Sequence, residues 1–235
     1  DTYIVPSGGT RKPNYVLGDE RTAVGFTPST RGNYNVEVLN NTAVASDIVS
    51  NLKAYVVVPK ENENYGNAFQ SKAFSWNMKL EQAPTIQVTD ADGVIQPAKV
   101  GNYIIEYGRP NSENDVENTS YSTTFDADAT MIRITNSSGI DAGEKVVLSF
   151  DYVVDETTQS AAGKLGLVND FRPYYYFEAP GAAGYQHGTR VGAILSIGEI
   201  AGVLFIDNNG DGIYNTGDWF VANKTLELLK KYDSV

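Results

Sequence analysis

Twelve residues near the C-terminus, Asp207-Asn208-Asn209-Gly210-Asp211-Gly212-Ile213-Tyr214-Asn215-Thr216-Gly217-Asp218, alternate oxygen-bearing side chains with glycine. Calcium is a hard cation that takes six to eight oxygens, and a short loop supplies them when such side chains fall at alternate positions around a sharp reversal. Asp207, Asn209 and Asp211 occupy positions one, three and five of that pattern. Gly212 at six permits the reversal, and Ile213 at seven offers its carbonyl. Asn215 at nine acts directly or through water, and Asp218 closes the loop at twelve, where an EF-hand carries a longer Glu. Magnesium is disfavoured, because it prefers few protein ligands and rigid octahedral geometry. The competing reading is a solvated Asn/Gly-rich turn; three spaced acids and the placed Gly212 weigh against it. Calcium is therefore the expected cofactor.

Other constellations are weaker. His187 is the single histidine and lies in the Gly-rich stretch Gly184–Thr189; with Glu178, Asp170 and Arg190 nearby in sequence it suggests an acid–base group, but no nucleophile accompanies it. Asp90 with Asp92, and Asp126 with Asp128, are paired carboxylates of the kind that flank a sugar in glycosidases. A hairpin turn explains the first pair more simply, and loop solvation the second. Tyr174-Tyr-Tyr-Phe177, with Phe171 and Tyr185, is either an aromatic platform for a sugar or apolar ligand or a strand with cross-strand aromatic pairs; the strand is the expectation. The sequons at Asn40, Asn118, Asn136 and Asn223 are attributed to an Asn/Ser/Thr-rich composition.

Bulk composition narrows the classes. With 18 Lys and Arg against 29 Asp and Glu, the net charge is −11, a balance that repels phosphate backbones and argues against nucleic-acid binding. The absence of cysteine removes disulfides, thiolate nucleophiles and Cys-ligated zinc. A single histidine leaves little for a Ser-His-Asp triad or a multi-His metal site. No apolar run approaches the length of a membrane-spanning helix, and the chain is expected to be a piece of a longer protein.

The elements that must position the loop are expected to be strands. Fifteen Tyr, 22 Gly and many Val, Ile and Thr suit strands and turns. Runs with strand character cover residues 33–39, 54–58, 73–80, 85–89, 103–107, 130–135, 145–154, 174–178, 189–197, 202–206 and 224–229. Asp92-Gly93, Ser138-Gly139 and Pro180-Gly181 punctuate them. The fold class is therefore mainly β, an antiparallel, Ig-like β-sandwich. Residues 111–124 and 155–164 read as exposed loops. A boundary is expected around Ser196–Gly202, giving a large β-sandwich at 1–200 and a shorter C-terminal piece at 201–235. An apolar β-type run precedes the acidic loop, and the segment after it is ambiguous between strand and helix; this points away from an EF-hand, which needs a helix there.

The stretch Gly202-Val-Leu-Phe-Ile-Asp-Asn-Asn-Gly-Asp-Gly-Ile-Tyr-Asn-Thr-Gly-Asp218, followed by Val221-Ala-Asn-Lys-Thr-Leu-Glu-Leu-Leu229, resembles the start of the B-type repeats of serine-aspartate-repeat adhesins. Asp218 replaces their usual Glu, and Asn223 stands where Gly is frequent. The phrases at 34–40, 55–60, 69–80 and 192–202 look like modules that precede such repeats in large bacterial surface proteins. The resemblance implies a partial, calcium-rigidified Cna-B-like repeat at 201–235 and an extracellular, wall-associated location on a Gram-positive-type surface. The expected function is a non-catalytic structural or adhesive module whose calcium loop stiffens the junction between stalk domains. The alternative is an adhesin domain that recognises a host protein or glycan, with a groove near the Tyr174 cluster. Expected partners are neighbouring domains of the same surface protein and a host protein or glycan, with no nucleic acid and no membrane insertion.

Overall fold

A computed structural model describes residues 2–6, 12–13, 15–27, 31–155, 162–196, 205–210 and 215–221. In chain order the strands are β1 (Thr2–Pro6), β2 (Lys12–Pro13), β3 (Val24–Phe26), β4 (Arg31–Leu39), β5 (Ser50–Val57), β6 (Met78–Leu80), β7 (Thr85–Thr89) and β8 (Tyr103–Gly108). They continue with β9 (Met131–Asn136), β10 (Lys145–Val154), β11 (Val168–Phe171), β12 (Tyr174–Ala179), β13 (Ala182–His187), β14 (Val191–Leu195), β15 (Phe205–Ile206) and β16 (Trp219–Phe220). One short helix, α1 (Pro97–Val100), precedes β8. The chain divides into two compact units, Asp1–Ile197 and Gly198–Val235.

In the first unit β10 shows why the sheets form. Its residues alternate strictly between half-buried and buried, with Val146, Leu148, Phe150, Tyr152 and Val154 on the inner face. A period of two is what a strand with one covered face requires. The register with β4 places Val146 opposite Val38, Leu148 opposite Val36 and Phe150 opposite Tyr34. On its other side β10 pairs β7 and then β6, again apolar against apolar: Val88, Ile86, Leu80 and Met78. This sheet runs β2-β1-β4-β10-β6, with β7 also on β10.

The facing sheet runs β13-β12-β5-β9-β8 and is antiparallel throughout. Leu52, Ala54 and Val56 of β5 stand opposite Asn136, Ile134 and Ile132 of β9, and these in turn opposite Tyr103, Ile105 and Tyr107 of β8. The two inner faces share one hydrophobic core. A buried hydrogen bond crosses it, from the Tyr152 hydroxyl to the Val57 carbonyl at 2.7 Å. A third sheet, β11-β14-β3, adds Phe171 edge-on to Tyr34 (5.1 Å) and Phe26 beside Trp76 (6.2 Å). The mainly-β sandwich is thus what the alternation predicts, with one departure: β14 and β3 pair parallel.

The strands β1, β2, β3 and β11 lie outside the runs expected from sequence, and two further segments differ from that expectation. Residues 73–77 are not strand; only Met78–Leu80 pairs. The main chain there is held instead by buried side chains of β11. Asn169 accepts the Ser75 N–H at 2.7 Å and donates to the Trp76 carbonyl at 2.8 Å, while Asp170 accepts both the N–H and the hydroxyl of Ser71. The Gly-rich stretch Gly184–Thr189, read as a turn, contributes Gly184–His187 to β13, an edge strand paired along its length with β12.

Candidate functional site

The acidic loop lies in the second unit between two short strands. β15 and β16 pair antiparallel, Phe205 opposite Phe220 and Ile206 opposite Trp219. Asp207 follows β15 directly and Asp218 precedes β16, so the pairing sets positions one and twelve of the expected ligand series side by side at the loop's mouth. The strands on both sides accord with the non-EF-hand expectation.

Inside the loop the carboxylates turn towards the main chain. Asp218 accepts the Asn208 N–H with one oxygen (3.1 Å) and the Asn215 N–H with the other (2.9 Å). Asp207 accepts the Gly210 N–H at 2.6 Å. The Asn209 amide reaches the Asn215 side-chain oxygen at 3.4 Å, and the Asn208 amide donates to the Gly217 carbonyl at 2.6 Å. Gly210 and Gly217 have φ of +75° and +113°, values that glycine adopts without strain. Of the six expected ligands, Asp207, Asn209, Asn215 and Asp218 belong to this one loop; Asp211 and Ile213 lie outside the described residues. Among the described residues no three of His, Cys, Asp and Glu group together as a metal site, and this loop contributes two carboxylates. The side-chain oxygens of Asp207, Asn209, Asn215 and Asp218 make a donor set that is all oxygen, the type a calcium ion takes.

A second candidate lies on the outer face of the five-stranded sheet. Along β12, Tyr175 and Phe177 alternate with Tyr174, Tyr176 and Glu178; Tyr174 packs edge-on against the buried Phe69 (5.4 Å), while Tyr176 and Glu178, with Tyr185 of β13 opposite Tyr176, lie on the open outer side. Tyr174 and Tyr185 stack at 5.0 Å with ring planes 9° apart, and Tyr176 stands 5.1 Å from Tyr185 at 57°. Cross-strand aromatic pairing, the reading favoured from sequence, is therefore present. Tyr176 and Tyr185, but not Tyr174, also line one wall of an open trough of about 550 Å³ with Asn51, Lys53, Asn102, Ile104 and Thr135.

The register of β12 on β5 slips between Tyr176 and Glu178, and Asn51 takes up the bulge with φ of +51°. That bulge aims its amide at Glu178 (2.7 Å), which also accepts the Tyr176 hydroxyl at 2.9 Å. Asn51 first, then Tyr176 and the Lys53 charge, hold the Glu178 carboxyl below its ordinary range. Lys53 in turn sits 5.4 Å over the Tyr176 ring.

The remaining sequence candidates have structural work. Asp90 accepts the Asp92 and Val94 N–H groups and the Gln96 amide, closing the Asp92-Gly93 turn. Asp126 pairs with Arg109 at 2.6 Å and accepts the Asp128 N–H. His187 is exposed at the end of β13, while Asp170 is engaged by Ser71 and Arg190, and Glu178 by Asn51 and Tyr176. Asp170 and Glu178 are thus each held by partners other than His187. Of the sequon residues, Asn40 and Asn136 are buried and hydrogen-bonded to main chain.

No family model matches the chain, and no curated protein matches it. Among solved structures it is similar to the collagen-binding subdomain of the Enterococcus faecalis surface protein ACE, at 10% identity and a TM-score of 0.37, covering 72% of this chain and 93% of that one. It is also similar to the collagen-binding domain of a Staphylococcus aureus adhesin, at 9% identity and a TM-score of 0.38, covering 83% and 97%. A third likeness is to AvmM, which catalyses macrocyclisation in alchivemycin A biosynthesis, at 10% identity and a TM-score of 0.32, covering 86% and 90%. At such identities and TM-scores, binding proteins and an enzyme stand side by side, and no function passes from them to this chain.

Proposed function

We propose that the chain is a non-catalytic structural and adhesive module of a bacterial cell-surface protein, in which residues 1–200 form the β-sandwich and 201–235 open a Cna-B-like repeat with a calcium loop. The observation that carries this reading is the closure of the acidic loop by β15 and β16, which sets Asp207 and Asp218 together with Asn209 and Asn215 in the same loop. A calcium ion held there ties the two arms of the loop together and stiffens the segment that follows the sandwich. The resemblance of 202–229 to B-type repeats supports the same location and role. Binding to the folded state alone stabilises by RT ln(1 + [L]/Kd), about 2.7 kcal/mol at a hundredfold excess of calcium over Kd. Titration calorimetry of chelator-treated chain is expected to give a saturable heat, weakened at least about tenfold in Asp207→Asn or Asp218→Asn. No heat and no shift in melting temperature at millimolar calcium would sink the proposal.

A second reading, recognition of a host protein or glycan, is favoured by the Tyr176 and Tyr185 rings along a trough with amide and hydroxyl groups. Screening a glycan and matrix-protein array with wild type and Tyr176→Ala tests it. A saturable hit lost in the variant supports this reading, and a blank array removes it.

A further inference from the structure

Asn209-Gly210 is the one Asn-Gly pair in the sequence. The pair carries a chemistry distinct from metal ligation. The Gly210 backbone nitrogen, once it sheds its proton, attacks the carbonyl carbon of the Asn209 side chain and closes a five-membered succinimide. Glycine hinders this closure least, because it has no Cβ and leaves the backbone its widest freedom. The loop gives the ring room to form. Asn209 and Gly210 are both exposed, and a methyl group placed on Gly210 would meet no atom within 4 Å.

Other asparagines with small successors are held differently. Asn136, before Ser137, is 2% exposed, and its side-chain oxygen accepts the Ser138 N–H at 2.8 Å. Asn111, before Ser112, donates to the Asp115 carboxylate from its backbone nitrogen at 3.1 Å and from its amide at 3.2 Å. Within the loop, Asn208 is followed by the bulkier Asn209, and its amide donates to the Gly217 carbonyl at 2.6 Å. One contact restrains the Asn-Gly pair itself: the Gly210 N–H donates to Asp207 at 2.6 Å. The attacking nitrogen must become anionic, and a carboxylate at that distance opposes the new charge.

We propose that Asn209 is a site of spontaneous deamidation, which turns position three of the acidic loop from an amide into a carboxylate at a rate restrained by Asp207. Water is the one reactant besides the chain. The bond from the Gly210 nitrogen to Cγ of Asn209 forms and the Cγ–Nδ2 bond breaks. The proton shed by the Gly210 nitrogen passes through solvent to the departing group, which leaves as ammonia. Water then opens the succinimide. Attack at Cγ gives aspartate, and attack at the main-chain carbonyl gives isoaspartate, whose main chain is one carbon longer. Either product adds a negative charge to a loop that already carries Asp207, Asp211 and Asp218. A consequence that rests on the calcium reading follows, since affinity for calcium rises with the charge of the ligand set. The aspartate form binds the ion more tightly than the amide form.

The test incubates the full chain in chelator at pH 6.5 and at pH 8.5, then digests it and assigns each amide-to-acid mass gain to a residue. Asn209 is expected to convert at least about tenfold faster than any other asparagine, and faster at the higher pH, where more of the nitrogen is anionic. The mass gain separates this reaction from isomerisation at Asp92-Gly93 or Asp211-Gly212, which leaves mass unchanged. Asn209→Gln, whose longer side chain must close a six-membered ring, is expected to abolish the conversion. Asp207→Asn is expected to accelerate it severalfold. An amide that persists at Asn209 while other asparagines convert, a rate independent of pH, or an unchanged rate in Asp207→Asn would overturn the proposal. Calorimetry of Asn209→Asp beside wild type tests the consequence, with affinity for calcium expected to rise about tenfold. Binding by wild type with no gain in the variant overturns that consequence alone. No heat in either chain, with Asn209 still converting, overturns the calcium loop and upholds the modification site.

Discussion

The Asn169 side chain is buried and serves the main chain of the neighbouring segment, accepting from Ser75 and donating to Trp76. Asn169→Ala removes both bonds and leaves a part-buried N–H and a buried carbonyl unpaired. Each unpaired group costs about 1–3 kcal/mol, so a loss of about 2–4 kcal/mol is expected, read as a lower denaturant midpoint with unchanged slope. His187 calls for a different measurement. Partial burial, then the charges of Arg172 and Arg190, lower its pKa below the ordinary 6.5. A depressed pKa means that the unfolded chain binds the proton more readily. The His187 contribution is therefore intact above about pH 6.5 and is lost as pH falls through the folded value. His187→Gln is expected to lose less melting temperature than wild type between pH 7 and pH 5, checked by paired melts across that window. At this scale the sequence was informative about the acidic loop and less so about the trough. Alternating Asp and Asn carry their chemistry in their own spacing, whereas Asn51, Asn102 and Tyr185 meet only because β5, β8 and β13 lie in one sheet.

Among elements, the hairpin of β12 and β13 supplies one wall of the outer trough, and two backbone positions shape it. Pro180 and Gly181 make the turn, Gly181 at φ +76°, a pairing that fits a type II turn. Asn51 at φ +51° forms the bulge in β5 against which β12 packs. A side chain with a branched Cβ is disfavoured there by about 1–2 kcal/mol, while glycine is not. Asn51→Val is thus expected to be less stable than Asn51→Gly by about that amount in parallel denaturant titrations, although both lose the bond to Glu178. Equal stability of the two variants would mean that the bulge is not a strained position. The legibility of strands followed the same physics. β7 and β10 fall on the residues expected, because apolar and polar positions alternate cleanly along them. β13 escaped notice because Ala-Ala-Gly carries no strand propensity and is recruited by pairing with β12. Residues 73–77 misled in the opposite sense: their apolar content serves burial of Phe74 and Trp76, while side chains of β11 satisfy their backbone.

For the whole molecule, the two compact units carry one tryptophan each, which makes them separately observable. Trp76 in the first unit is fully buried and donates to the Leu167 carbonyl at 3.0 Å. Trp219 in the second is 68% exposed and adjoins Asp218, the residue that closes the acidic loop. The large core of aromatic and aliphatic side chains belongs to the first unit. The acidic loop belongs to the second unit, so the energy of a bound ion adds to that unit. The net charge of −11 also raises the local concentration of cations around the chain. If calcium binds the acidic loop, its addition is expected to change the emission of Trp219 and to leave that of Trp76 unaltered. Trp219→Phe should then abolish the fluorescence response while the calorimetric heat persists, because the indole is a reporter and not a ligand. A fragment ending at Ile197 is expected to melt at the temperature of the full chain in chelator and to ignore calcium. A calcium response that survives in that fragment would place the ion in the sandwich instead, and the acidic loop would revert to a hydrogen-bonded turn.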